Sequence, residues 1–353
     1  MKRALWLFAT AYLAMAADGE LKFFEIAEFP LEGGATIRDC RIGYRTYGKL
    51  DAAKANVVLF PAWFTGTSKD LEQYFGTGPA KMIDTSKYFV IAVDALANGV
   101  SSSPSNSASQ PRLKFPKVSI RDMVNSQKRL ITEAFGIKQL HAVIGISMGG
   151  MQAFQWAVAY PGLMERSIPI VGTPQLTSTD LLLWTAEVRA IQQHKDYNSG
   201  NYAKQPDIES LSLIHAFALT SPLYRATRTS RVQFPAYLKE ALARNAGFDA
   251  NDRIRQLEAM LSHDVAAPYG GSLARAAAEV RARLLVIVAE KDHMVNPATA
   301  VEFAKLLRAP VVALDGDCGH LIFECQSDGV VPKVTEFLRQ FEPRRPFFEK
   351  VLK

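Results

Sequence analysis

The chain has 353 residues, 48% of them hydrophobic and 22% charged, with a formal net charge of +6. That length and apolar share allow a large buried core and exclude an intrinsically disordered chain. The basic residues are scattered rather than clustered with aromatics, which argues for a solvated surface against nucleic-acid binding, and Cys40, Cys318 and Cys325 show neither metal-ligand spacing nor a disulfide framework.

At the start of the chain, Lys2-Arg3 precedes a short apolar run, Ala4 to Ala16, that closes on Ala14-Met15-Ala16. A charged start, a short apolar core and a small-x-small end are the marks of a signal peptide, so residues 1–16 read as a leader. Cleavage after Ala16 would lower the formal charge from +6 to +4, since this stretch holds Lys2 and Arg3 and no acid. The run is short for a membrane span and no cysteine follows it to carry a lipid, so a secreted or periplasmic protein without a stable membrane anchor is expected.

Phe23 to Phe29 and Arg41 to Tyr47 have the aromatic and β-branched character of antiparallel starting strands. Asn56 to Phe60, Tyr88 to Val93, Leu140 to Ile144, Arg166 to Val171, Leu284 to Val288 and Val311 to Leu314 are short apolar runs, as in parallel strands buried on both faces. Helical stretches alternate with several of them. Ser119-x-x-Asp122 resembles a capping box opening a helix from Met123 to Ala134, and Pro297 falls near the first turn of a helix reaching Leu307. This alternation predicts an α/β fold with a mainly parallel central sheet flanked by helices. From Thr173 to Glu279 the rhythm breaks into helix-like pieces, Asp180 to His194, Ile208 to Leu219 and Asp252 to Met260, without a clear buried strand. Residues 173–280 therefore read as an inserted helical lid between two parts of one core, 17–172 and 281–353.

Gly145-Ile146-Ser147-Met148-Gly149 stands where the strand Leu140 to Ile144 gives way to the helix-like stretch Gly150 to Tyr160. A strand turning sharply into a helix forces its apex residue into strained backbone angles and needs small residues where the chain passes close to itself. The turn lifts the Ser147 hydroxyl above the sheet, and the helix start aims N–H groups and a positive dipole end at the same point. Ser147 is thus the predicted nucleophile.

A serine hydroxyl needs a base within hydrogen-bond reach and an acid to orient that base. Asp292 follows the strand Leu284 to Val288, and His320 follows Val311 to Leu314. The chain order Ser, Asp, His is that of an α/β-hydrolase sheet with all three on loops at one edge. Glu290, Asp315 and Asp317 compete for the acid, and His293 is the serious rival to His320. His141 begins a buried strand, while His194, His215 and His263 fall in the lid and read as packing or surface residues. The oxyanion hole calls for one N–H from Met148 and one from the loop after the strand Asn56 to Phe60, most naturally Phe64. Trp63 and Phe64 are candidates to wall a substrate pocket.

Gly145 to Trp156, Phe115-Pro116 with Ile120-Arg121-Asp122-Met123-Val124, and Ile83-Asp84-Thr85 with Tyr88 to Ile91 resemble the homoserine O-acetyltransferase family of α/β-hydrolase proteins. By that resemblance Ser147, Asp292 and His320 occupy the family's triad positions, and Phe64 stands at the Leu of its His-Ala-Leu-Thr-Gly oxyanion loop. The departures concern the substrate. The family usually places Asp directly after the catalytic His, where Leu321 stands here. Its Ala-Arg-x-x-Ala-x-x-Thr-Tyr segment reads here as Leu213 to Ser221 without the Arg or the Tyr, and its Asn-x-Leu-Gly loop is replaced by Asp94-Ala95-Leu96-Ala97-Asn98. An amino-acid substrate needs charged partners at both ends, which apolar residues do not supply.

The reading that follows is a serine ester hydrolase acting on short-chain acyl esters, acetates first, through an acyl-enzyme and with no cofactor or metal. An acyltransferase using acyl-CoA and a non-catalytic ligand-binding relative are the alternatives. The expected partner is a small-molecule ester, not a nucleic acid or a membrane, and assembly as a homodimer is left open.

Overall fold

In this computed structural model residues 18–244 and 247–340 are described; the expected leader, 1–16, lies outside them. Strand β1 (Lys22–Pro30) pairs antiparallel with β2 (Thr36–Tyr47), Ile26 opposite Cys40 and Phe29 opposite Ile37. Both strands outrun the aromatic stretches that announce them, because the ladder carries the more polar stretch Thr36–Cys40 along with it.

The remaining strands of the main sheet are β3 (Val57–Pro61), β4 (Phe89–Val93), β5 (Leu140–Ile146), β6 (Met164–Ile170), β7 (Arg283–Leu284), β8 (Val286–Ala289) and β9 (Val311–Leu314). The sheet order is β1-β2-β4-β3-β5-β6-β8-β9, with β7 pairing on β6. From β4 onward every neighbouring pair is parallel; β2 joins β4 antiparallel. Every residue of β3, β4 and β5 is buried, which is why these strands read as unbroken apolar runs rather than as alternation. The pleat sends alternate residues to opposite faces. Leu59, Ile91 and Val143 enter one core, while Val58, Val90 and Ile144 enter the other.

Helix α1 (Ile120–Arg129) opens three residues before the expected Met123, with the full capping box at Ser119 and Asp122, and runs through a wider π-type turn to Ala134. Helix α2 (Met148–Ala159) follows β5 and is buried along almost its whole length. Between β6 and β7 the described residues add no strand to the main sheet. They form α3 (Ser178–Gln193), α4 (Glu209–Leu219), α5 (Pro222–Arg228), α6 (Phe234–Arg244), α7 (Ala250–Leu261) and α8 (Leu273–Glu279). The expected helices of this stretch correspond to α3, α4 and α7 within two residues at each end. Helix α9 (Ala298–Leu307) has Pro297 as its N-cap, next to the first turn as expected, and α10 (Ile322–Cys325) and α11 (Ser327–Arg339) complete the described chain. Among the described residues no helix is long and apolar enough to cross a membrane.

Candidate active site

The chain leaves β5 at Ile146 and enters α2 at Met148, so one residue must make the whole turn. Ser147 does so at φ 56° and ψ −120°, a conformation that costs a non-glycine residue on the order of 1–3 kcal/mol and persists only where the surroundings over-determine it. The surroundings do so here. A Cβ on Gly145 would stand 2.0 Å from the Gly149 carbonyl oxygen, and one on Gly149 would stand 2.6 Å from that of Pro61. The Ser147 N–H donates to the Ile170 carbonyl at 2.9 Å, pinning the elbow to β6.

Ser147 Oγ lies 2.8 Å from His320 Nε2, and His320 Nδ1 lies 2.7 Å from Asp292 Oδ2. The other oxygen of Asp292 accepts the N–H groups of Met294 at 2.8 Å and Val295 at 2.9 Å. An ionised carboxylate has acceptor sites only, so it accepts a hydrogen bond from Nδ1–H, keeps the imidazole proton on that nitrogen and leaves Nε2 free to accept the serine hydroxyl. Asp292 and His320 are buried, while Ser147 keeps partial exposure. The three predicted residues thus meet in a single line.

The rivals are engaged elsewhere or face solvent. His293, Glu290 and Asp315 are exposed, and Asp317 is partly exposed. His141 Nε2 bonds the Leu338 carbonyl, His194 Nδ1 accepts the Asp196 N–H and His263 Nε2 bonds the Thr173 carbonyl.

The loop after β3 runs across the start of α2. Gln152 Nε2 donates to the Ala62 carbonyl at 3.0 Å, and Pro61 lies against Gly149, so the loop leading to Phe64 starts beside the first turn of α2. First-turn amides such as Met148 N–H have no acceptor within their own helix. Phe64 is nearly buried, its ring edge-on to Trp184 at 5.8 Å; Trp63 is half-buried, edge-on to Tyr74 at 6.2 Å. The replaced loop at Asp94 is structural here. The Asp94 carboxylate accepts Ser68 N–H at 2.7 Å, Ser68 Oγ at 2.6 Å and Asn98 Nδ2 at 3.0 Å, while burial pushes its pKa up.

One expectation needs correction. The Leu213 to Ser221 stretch suggests a site stripped of charge and leaves His215 to packing, yet His215 Nδ1 lies 2.9 Å from Glu187 Oε1, and Glu187 Oε2 accepts Arg253 Nη2 at 3.1 Å. The Arg253 guanidinium lies 4.9 Å from the Phe64 ring centroid. Burial alone would raise the Glu187 carboxyl, but His215 and Arg253 together outweigh it and its pKa is lowered. The cysteine spacing defines no disulfide framework and leaves pairing open; Cys318 and Cys325 are bonded, bracketing His320, and Cys40 is free and buried. One pair seven residues apart gives no repeating spacing to read; the turn from β9 into α10 is what brings the sulfurs together.

A strand-borne elbow serine with a buried histidine and aspartate behind it, on a mainly parallel sheet, defines a serine enzyme class of α/β architecture. Residues 56–325 match the alpha/beta hydrolase fold family, and the chain belongs to that family. Within it the chain falls in the homoserine O-acetyltransferase-like group. It is 31% identical to an ethyl acetate hydrolase of Pseudomonas veronii over 88% of this chain and 92% of that protein. It is 32% identical to a homoserine O-acetyltransferase of Methanococcoides burtonii over 76% of this chain and 62% of that protein. Among solved structures, the acetyl esterase MekB superposes with a TM-score of 0.84 at 29% identity, covering 92% of this chain and 98% of that one. This protein is accordingly an enzyme of the ester hydrolase or acyltransferase type.

Proposed function

We propose that the protein is a serine carboxylesterase acting on short-chain acyl esters, acetates first. Ser147 attacks the ester carbonyl as His320 takes its proton, and Asp292 holds the imidazole in the accepting tautomer and stabilises the imidazolium. The amides of Met148 and Phe64 receive the oxyanion, His320 returns the proton to the leaving alcohol, and water activated by the same histidine resolves the acyl-enzyme. Each step uses a group of the chain. The observation that carries the reading is the short path from Ser147 Oγ through His320 to Asp292, 2.8 Å and 2.7 Å long. The test is p-nitrophenyl acetate hydrolysis by wild type and Ser147→Ala; loss of turnover is expected, and unchanged turnover in the variant would sink the assignment.

Acyl transfer to an alcohol from acyl-CoA is the second reading, favoured by the homoserine O-acetyltransferase relatives. Water and alcohol compete for one acyl-enzyme, so the acceptor pocket decides. Leu321 beside His320, and the loss of Arg and Tyr between Leu213 and Ser221, weigh towards water. Acceptor-dependent CoA release in an assay with acetyl-CoA and homoserine would reverse the order of the two readings.

In the same reading residues 173–280 form the lid over the site, the leader sends the enzyme to the periplasm or outside, and two copies associate through apolar side chains exposed on α3 and α4, Leu182 and Phe217 foremost. An uncleaved leader in exported protein, or a sedimentation profile of monomer alone, counts against these respective parts.

A further inference from the structure

Helix α7 is buried along almost its whole length, yet its sequence Asn251-Asp252-Arg253-Ile254-Arg255-Gln256 is mostly polar. Buried polar groups persist where they are satisfied, and Gln256 is satisfied by two loops of the core. Its Oε1 accepts the Thr65 N–H at 2.9 Å, from a residue 191 positions away. Its Nε2 donates to the Leu96 carbonyl at 3.3 Å. The donor and acceptor on the two loops fix which end of the amide faces which loop, and Gln256 is fully buried.

Thr65 directly follows Phe64 and sits at φ 60°. A branched residue in the left-handed region is strained and needs a partner that holds it there. The Thr65 N–H belongs to the peptide joining Phe64 to Thr65, so the bond to Gln256 fixes that plane. On the other side of Phe64, the Trp63 carbonyl, which shares its peptide with the Phe64 N–H, accepts the Gly66 N–H at 3.1 Å. The Phe64 ring is itself held by Trp184 and by the Arg253 guanidinium, one turn of α7 before Gln256. With both flanking peptides and the ring fixed, the Phe64 N–H has little freedom of direction.

We propose that Gln256 is a positioning residue of the oxyanion hole, through which α7 sets the aim of the Phe64 N–H. The inference rests on the esterase reading, in which that N–H receives the oxyanion. A donor aimed at the transition state helps only if it is already in place, and displacement by about 1 Å can cost about 10²-fold in rate. Gln256 therefore acts on kcat and not on ground-state binding.

The experiment compares Gln256→Met, which keeps the side-chain length and loses both hydrogen bonds, with Gln256→Glu, which keeps the acceptor for Thr65 N–H. Steady-state hydrolysis of p-nitrophenyl acetate is measured alongside inhibition by phenylboronic acid, whose tetrahedral adduct on Ser147 places an oxygen in the hole. For Gln256→Met we expect kcat to fall by about 10- to 100-fold with KM changed less than about threefold, and the boronic acid to weaken in parallel. Gln256→Glu should recover most of the loss. Wild-type kcat in Gln256→Met, a change confined to KM, or equal damage in the two variants would overturn the proposal. Should Gln256→Met not accumulate as folded protein, Gln256→Asn, too short to span both loops, decides by the same split between kcat and KM. Inactivity of the wild type towards every ester would instead remove the esterase reading, and is read separately from the variants.

Discussion

Cys318 is bonded to Cys325, and His320 stands between them on the turn that the bond closes. The loop bearing the proposed base is therefore fastened covalently at both ends as well as through Asp292. Closing a loop this short removes roughly 2–3 kcal/mol of chain entropy from the unfolded state. Its local effect is to narrow the positions His320 can take relative to Ser147. Reduction with a phosphine should release two titratable thiols and lower kcat for p-nitrophenyl acetate by about tenfold, a misplacement effect, with KM nearly unchanged. Cys318→Ser should reproduce the loss and make the enzyme indifferent to reductant. Equal turnover before and after complete reduction would show that Asp292 alone aligns the histidine.

Asp292 offers a sharper test of the proton's route. Its Oδ1 is committed to the Met294 and Val295 N–H groups, and Oδ2 to His320 Nδ1. In Asp292→Asn the carbonyl oxygen must stay with the two backbone donors, so the NH₂ turns to His320. The imidazole then places its proton on Nε2 and has no lone pair for Ser147. We expect kcat to fall by about 10⁴-fold at neutral pH with the fold intact. A stopped-flow or endpoint hydrolysis assay, with a thermal melt as control, checks this.

What the sequence tells and what it withholds divide along a physical line. Ser147 and Asp292 are legible because each follows a strand whose burial on both faces leaves an unbroken apolar run, His320 because it follows the short apolar edge strand Val311–Leu314, and the elbow because it demands glycine at 145 and 149. The helices α3, α4 and α7 are legible from their pattern. Glu187, Arg253 and Gln256 are not, since their partners lie tens to hundreds of positions away and an isolated Glu, Arg or Gln on a helix reads as a solvated side chain. The same holds for His215, whose meaning depends wholly on Glu187, and for the single bond from Cys318 to Cys325.

The Glu187–Arg253 pair is buried on both sides. Removing one partner from a buried ion pair leaves a charge without compensation and costs about 3–5 kcal/mol, whereas replacing both by uncharged groups is often close to neutral. Arg253→Met leaves Glu187 with His215 and should be destabilised in urea unfolding, and Glu187→Gln with Arg253→Met should recover much of the loss. A double variant as unstable as the single one would mean that the packing of Arg253 on Phe64, rather than its charge, is what the site requires.

Two buried groups pull the pH dependence of stability in opposite directions. Burial pushes the Asp252 carboxyl up to about 7, against an unfolded value of 3.8, even though Ser105 donates to both of its oxygens. Between these values the folded state binds more protons than the unfolded, so this group's contribution falls as pH rises from about 4 to 7. His263 is lowered from 6.5 to about 4 by burial, its Nε2 bonded to the Thr173 carbonyl. Here the unfolded state binds more protons, and stability is lost as pH falls from about 6.5 to 4. Each effect is on the order of 2–4 kcal/mol, so over their shared window the two largely offset each other, and removing either one exposes the other relative to wild type. Asp252→Asn keeps a donor and an acceptor for Ser105 while removing the acid. That variant should be more stable than wild type above pH 7 and should lose stability steeply towards pH 4.5. His263→Gln, which can still donate to Thr173, should do the reverse and weaken from pH 4.5 to 7. Urea unfolding at pH 4.5, 6 and 7.5 measures both slopes, and equal slopes in the two variants would refute the assignment of opposite signs to Asp252 and His263.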